Sequence, residues 1–274
     1  YWSNSENRPA DEIENGKYNT TNYLTNSIGL QKYISDVEST INFIKSKKRS
    51  TKNIKISFDE YQPWYHSIKK MNTHLNSDIK DWPKAYPILE DEYNLLDCLL
   101  VGTVINTFIN NSHIVKIACM AQLVNVIPAI STVKNGISWR QSVYYPLYFA
   151  SLYGRGESLQ LKINSPKYSS DIADDVNYID ASAVINEEEK TLSFFIINRS
   201  EEESVDLDFD INNLPIIKII DQQIINHTNI YASNTINKPN EIVPKKTNIA
   251  TFQNENLMAK IPKLSYLFIL LKIK

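Results

Sequence analysis

Hydrophobic positions change their spacing midway along the chain. Residues 1–20 show no periodicity and read as a loop. Leu30, Tyr33, Ile34, Val37, Ile41 and Ile44 then recur at helical intervals, which predicts an amphipathic helix over about 29–47. The apolar run at 54–58 predicts a buried strand, and the polar stretch 66–92, broken by Pro83 and Pro87, a loop. Leu96, Leu99, Leu100, Val104 and Phe108 mark one side of a second helix over about 93–110. "VKIACMAQ" (115–122) predicts another strand, and a third helix is expected from Ser138 to Tyr153 after the loop "STVKNG". Helices alternating with short apolar strands are the pattern of a parallel βα sheet.

Beyond Gly154–Gly156 the pattern becomes short, alternating and strand-like: "LQLKI", "IDASAVI", "LSFFIIN", "VDLDFDI", "IIKIIDQ", "LMAKIP" and "YLFILLKI". Turn-rich pieces such as "NEEEK" and "NKPNE" separate these segments. An antiparallel β-sandwich is expected here. The chain therefore divides into residues 1–156, the last βα units of a barrel-like domain, and 157–274, an all-β domain. Two parallel strands expose hydrogen-bonding edges and apolar helix faces. The expectation is that further strands of a (β/α)8 TIM barrel, about 250 residues when whole, lie upstream.

Composition narrows the function. The chain has 274 residues, is 42% hydrophobic and carries a formal net charge of −2. The densest basic run, "KSKKRSTK" (45–52), has no interleaved aromatic ring and reads as a solvated helix end rather than a nucleic-acid surface. No apolar stretch reaches the ~20 residues of a membrane helix. Cys98 and Cys119 both sit in apolar sequence and are expected as buried free thiols, suiting a reducing compartment. His66, His74 and His113 lack metal-ligand spacing. With six glycines and no phosphate-loop motif, the chain is expected to need neither metal nor cofactor.

Candidate chemistry concentrates in "IKISFDEYQPWYHS" (54–67). Asp59 and Glu60 sit where the first strand is expected to stop, and Gln122 takes the same place on the second. The C-terminal ends of barrel strands carry catalytic side chains. Neighbouring strand residues point to opposite faces, so at most one of the two carboxylates should point squarely into the mouth. Tyr61, Trp64, Tyr65 and His66 would supply apolar platforms for sugar rings. The plainer alternative is a strand ended by acidic residues beside a packed loop.

"ISFDEYQPWYHS" resembles the signature of the retaining α-L-arabinofuranosidases of glycoside hydrolase family 51. "DCLLVGTVINTFINNSHIVKIACMAQLVNVI", "SWRQSVYYPLYFASLYGRG" and "AKIPKLSY" follow in the same order, and "YWSN" with "NYLTNSIGLQKYI" resembles the preceding family segment. The resemblance implies a TIM barrel followed by a β-sandwich, with strand seven at about 54–60 and strand eight at about 115–122. It implies that Glu60 is the nucleophile of a double displacement, and that the acid/base Glu belongs to a strand outside this sequence. Gln122 would hydrogen-bond the arabinofuranose, Tyr1 would touch nucleophile or sugar, and Trp64 would line the pocket. Trp139 and Arg140, opening the last helix, are read as structural. The implied partner is an arabinofuranosyl oligosaccharide or polysaccharide, the implied setting cytoplasmic, and the implied assembly a homo-oligomer. Tyr61-Gln62-Pro63 departs from the family's usual Trp-Asn-Val, which points to altered substrate choice or to a chain that no longer works. A non-catalytic sugar-binding module and a sibling glycosidase of different sugar specificity are the competing readings.

Overall fold

The computed structural model describes residues 2–3, 20–63, 91–133, 135–211, 214–253 and 256–274. Strand β1 (Trp2–Ser3), helix α1 (Thr20–Lys48), strand β2 (Ile56–Gln62), helix α2 (Leu95–Asn110) and strand β3 (Val115–Met120) succeed one another along the chain. The strands form one parallel sheet in the order β1-β2-β3. Consecutive strands are neighbours and no reversal of order occurs, as when successive βα units are laid side by side.

Several expected elements shift. Helix α1 begins at Thr20 rather than at residue 29. Its first turns are polar, so apolar periodicity does not reveal them, yet Thr20, Asn22, Thr25, Asn26 and Ser27 are buried. Asn22 and Thr25 are held there by Asp171 and Tyr168. Of the expected apolar stripe, Leu30 and Ile34 are buried, whereas Tyr33 and Ile44 are each 45% exposed. Helix α2 opens on a capping box in which the Asn94 side chain accepts from the Asp97 N–H and the Asp97 side chain accepts from the Asn94 N–H. It is buried from Leu95 through Phe108, not on one side only.

The expected helix from Ser138 starts six residues later, as α3 (Tyr144–Tyr153). Strands β4 (Ile130–Thr132) and β5 (Ser138–Arg140) instead pair as an antiparallel hairpin. Trp139 and Arg140 therefore lie on a strand and do not open a helix. Trp139 donates its indole N–H to the Asn234 carbonyl at 3.0 Å, and Arg140 lies over the Tyr144 ring. Cys98 is buried but Cys119 is exposed, against expectation. Strand β3 is the outer strand of its sheet, and residues 116–119 have no cover among the described residues.

The second unit starts at a turn that only glycine can make. Gly156 has φ +134°, and a Cβ there would stand 2.1 Å from the Ile185 carbonyl oxygen. The strands that follow are β6 (Glu157–Leu159), β7 (Lys167–Tyr168), β8 (Val176–Asn177), β9 (Ile179–Asn186), β10 (Thr191–Asn198) and β11 (Val205–Phe209). Then come β12 (Ile216–Ile225), β13 (Lys245–Lys246), β14 (Ala250–Gln253), β15 (Asn256–Ile261) and β16 (Ser265–Ile273). They build an antiparallel sheet β13-β12-β16-β10-β9-β6, a smaller one β11-β15-β14, and the pair β7-β8.

The larger sheet is buried on both faces. Phe195, Ile197, Tyr266 and Phe268 point to α2 and α3 and join their core. Phe194, Ile196, Leu267 and Ile269 point the other way, onto the smaller sheet. Burial on both sides is why "LSFFIIN" and "YLFILLKI" read as nearly continuous apolar runs rather than clean alternation. Phe268 lies against Phe149 at 4.5 Å and Tyr153 at 4.9 Å, joining α3 to the sheet.

Candidate active site

Strand β2 does not stop at the two carboxylates; it runs through them to Gln62. In a regular strand Phe58 and Tyr61, three apart, would face opposite sides. Here both are buried against Phe108 of α2, each with ring centroids 4.9 Å away. The register explains how. Phe58 pairs with Ala118 and Tyr61 with Met120, so β2 carries one residue more than β3 between these points. This is a β-bulge, and Asp59 and Glu60 occupy it. Bulges bend a strand and re-aim its side chains, and they recur beside active sites. With both aromatic neighbours fixed to the helix layer, the carboxylate pair is left at the C-terminal end of the sheet.

The two carboxylates differ. Asp59 is exposed and accepts a 2.8 Å hydrogen bond from the Ser57 hydroxyl. Glu60 is half-buried. Desolvation, and secondarily the nearby Cys119, holds the Tyr61 phenol well above its ordinary range, so it stays neutral. Tyr93, fully buried, donates its hydroxyl to the Pro63 carbonyl at 3.2 Å and fixes the strand's exit.

Gln122 lies just past the end of β3, after a cis Ala121–Gln122 peptide. The parallel sheet brings it to the same end as Glu60 although 62 residues separate them in sequence. Its side chain is exposed, while its main-chain N–H donates to the Ile127 carbonyl and its carbonyl accepts from the Ala129 N–H. Tyr1 and Trp64, the other candidate residues, lie outside the described residues, as do His66 and His74. Trp2, next to Tyr1 in sequence, pairs with Tyr61 in β2.

Sequence reasoning singled out Gln62 only as part of the departure from the family pattern and gave it no contact of its own. It is 3% exposed, and its Nε2 donates to the Ile127 carbonyl at 3.1 Å. The available signal was its place two residues after Glu60, in a segment that departs from the family pattern. Among the described residues no cluster of His, Cys, Asp and Glu could hold a metal ion.

The family model of the α-L-arabinofuranosidase C-terminal domain matches residues 59–265. An intracellular exo-α-(1→5)-L-arabinofuranosidase of Bacillus subtilis strain 168 is 40% identical over 254 residues, covering 93% of this chain and 49% of the relative. The enzyme of the same name from Halalkalibacterium halodurans is 38% identical over 245 residues, covering 89% and 48%. This chain thus spans about half the length of the curated relatives it matches. Among solved structures, a family 51 α-L-arabinofuranosidase from Bifidobacterium longum superposes with a TM-score of 0.83 at 27% identity, over 92% of this chain and 50% of that one. The Thermotoga maritima α-L-arabinofuranosidase, solved with arabinose, shares the fold with a TM-score of 0.74 at 21% identity, over 94% and 51%. The chain, with a β-bulge presenting Glu60 at the end of a parallel sheet, belongs to the α-L-arabinofuranosidase C-terminal domain family, within glycoside hydrolase family 51.

Proposed function

We propose that this chain is the C-terminal half of a retaining, exo-acting α-L-arabinofuranosidase that removes terminal arabinofuranosyl groups from arabinan or arabinoxylan. The observation that carries this is the bulge that holds Glu60 near the C-terminal end of β2, in a chain of this family. On this reading residues 1–156 are the last units of a (β/α)8 barrel, with β2 and β3 as its seventh and eighth staves. Residues 157–274 are the appended β-sandwich. The relatives named intracellular favour action on imported oligosaccharides inside the cell.

Glu60 would attack the anomeric carbon while the glycosidic C–O bond breaks, giving a covalent arabinosyl ester. A second carboxyl, supplied by a part of the barrel outside this sequence, would protonate the leaving oxygen and then deprotonate the water that releases the sugar. In retaining enzymes the two carboxyl groups stand about 5–5.5 Å apart. Gln122 would hydrogen-bond the sugar, a contact that gains strength as charge develops in the transition state. Tyr1 and Trp64 would complete the pocket wall. No step needs a metal or a redox cofactor.

The test is hydrolysis of p-nitrophenyl α-L-arabinofuranoside by the full product of the gene that encodes this chain. Glu60→Ala should lower turnover about 10⁴-fold or more, the order expected when a covalent nucleophile is removed. Azide should restore turnover and yield the inverted glycosyl azide. Near-normal activity of Glu60→Ala would overturn the assignment. The isolated 274-residue chain should be inactive for want of its acid/base, and measurable turnover by it would equally overturn this reading.

A further inference from the structure

Three hydrogen bonds meet near the mouth end of β2 and β3. The Ile127 carbonyl accepts both from Gln62 Nε2 and from the main-chain N–H of Gln122, each at 3.1 Å. The Gln122 carbonyl in turn accepts from the Ala129 N–H at 3.2 Å. The side chain of Gln62 is thus joined, through one shared acceptor, to the backbone that sets the position of Gln122. The nucleophile candidate Glu60 lies two residues before Gln62 on the same strand.

The turn being held does not hold itself. Within residues 122–130, Asn125 has φ +57° and Val126 φ +70°. The left-handed region is sterically poor for a β-branched residue. A backbone of this kind persists only where its surroundings over-determine it. Its other supports include the Asp91 N–H on the Val126 carbonyl, at 3.1 Å, and the paired bonds between Asn125 and Thr132. Gln62 is the support that comes from the nucleophile strand. Pro63 restricts Gln62 to extended backbone, and the Tyr93 hydroxyl holds the Pro63 carbonyl in place.

Among the described residues the Gln62 amide makes a hydrogen bond at its nitrogen end only. Gln62 Oε1 is buried and accepts no hydrogen bond among the described residues.

We propose that Gln62 is a positioning residue that couples the Glu60 strand to the Gln122 turn and so sets the distance between nucleophile and sugar-binding amide. It need not touch substrate. This inference rests on the arabinofuranosidase reading and adds to it a role for the glutamine that replaces the family's usual asparagine.

The experiment is a double-mutant cycle in the full gene product, using p-nitrophenyl α-L-arabinofuranoside. Gln62→Met keeps the length of the side chain and removes the donor. It should lower kcat/KM about 10-fold, mainly through kcat, the order expected for one displaced hydrogen bond. Gln122→Ala should lower it at least as much. The double variant should be no worse than Gln122→Ala within about 2-fold, because coupled residues are non-additive. Gln62→Glu, which keeps the shape but turns a carboxylate toward the Ile127 carbonyl, should be no better than Gln62→Met. Thermal melting of each variant separates misfolding from misplacement. Additive losses in the double variant, or an unimpaired Gln62→Met, would overturn the inference. An inactive wild type, or an active Glu60→Ala, would instead overturn the underlying reading.

Discussion

Replacing Arg199 by Met should destabilise the chain by an amount that depends on pH, and the direction follows from what the guanidinium faces. Arg199 is 4% exposed, in the segment that leaves β10. Its Nη2 donates to the Asn177 carbonyl at 2.7 Å, and its Nη1 stands 3.7 Å from Asp180 Oδ2. Asp180 keeps only 18% of its side-chain surface and also accepts from Asn106 Nδ2 of α2 at 2.8 Å. The cluster, with Tyr168 bonded to Thr25 of α1, ties the βα unit to the second unit. Burial pushes the Asp180 carboxyl above its ordinary range, while Arg199 and the Asn106 bond pull it back. Removing the arginine removes the larger of these two restraints, so the folded-state pKa of Asp180 rises further. A carboxyl whose folded pKa is raised favours the folded state at low pH and loses that contribution as pH rises through the folded value. Breaking a buried pair costs about 3–5 kcal/mol when the remaining charge has no compensation. In Arg199→Met that cost should apply near neutral pH and shrink on acidification, by up to about 1.4 kcal/mol per pH unit while Asp180 takes up its proton. Methionine keeps the apolar stem, which limits the packing loss. Urea unfolding of both proteins at ~pH 7.5 and ~pH 5 measures the difference through the midpoint and slope. A gap that is below about 1 kcal/mol, or equal at the two pH values, would refute the argument, since it would mean that the pair carries no buried charge.

Two further substitutions test the layers independently. Phe268→Ala should cost about 3–5 kcal/mol by opening a cavity beneath α3, because the ring is fully buried against Phe149 and Tyr153; unfolding within 1 kcal/mol of wild type would show that the layer can collapse around it. Asn94→Ala should cost about 1 kcal/mol through loss of the capping box of α2, read as a lower melting temperature with an unchanged circular dichroism spectrum.

Legibility differed from element to element. The strands "LSFFIIN" and "YLFILLKI" stood out because both faces are buried, so apolar residues crowd at every step. Their presence followed from composition, whereas the two different layers they face did not. The N-terminal turns of α1 were hidden because they are held by side-chain hydrogen bonds from polar residues, which apolar periodicity does not register. The expected helix was placed from Ser138, although Pro146 belongs in the first turn of a helix and so marks a start near Tyr144, and pairing with Ile130–Thr132 makes residues 138–140 a strand. That pairing is a local hairpin, with Thr132 opposite Ser138, and Asn135-Gly136 between the two strands was its mark in the sequence.

The candidate site divides the same way. The sequence by itself determined that two carboxylates lie on an apolar strand, that a second strand ends in glutamine, and that these motifs resemble one glycosidase family. These are properties of residue type and spacing. Only the tertiary structure decided that the strand continues through Asp59 and Glu60, because a bulge exists only relative to a partner strand and needs the register against β3. It likewise decided that Phe58 and Tyr61 share one aromatic neighbour, and that Gln62 reaches a carbonyl 65 residues away. Register and long-range hydrogen bonds arise from the packing of α2 and β3 against β2, and no window of sequence around residue 60 contains them.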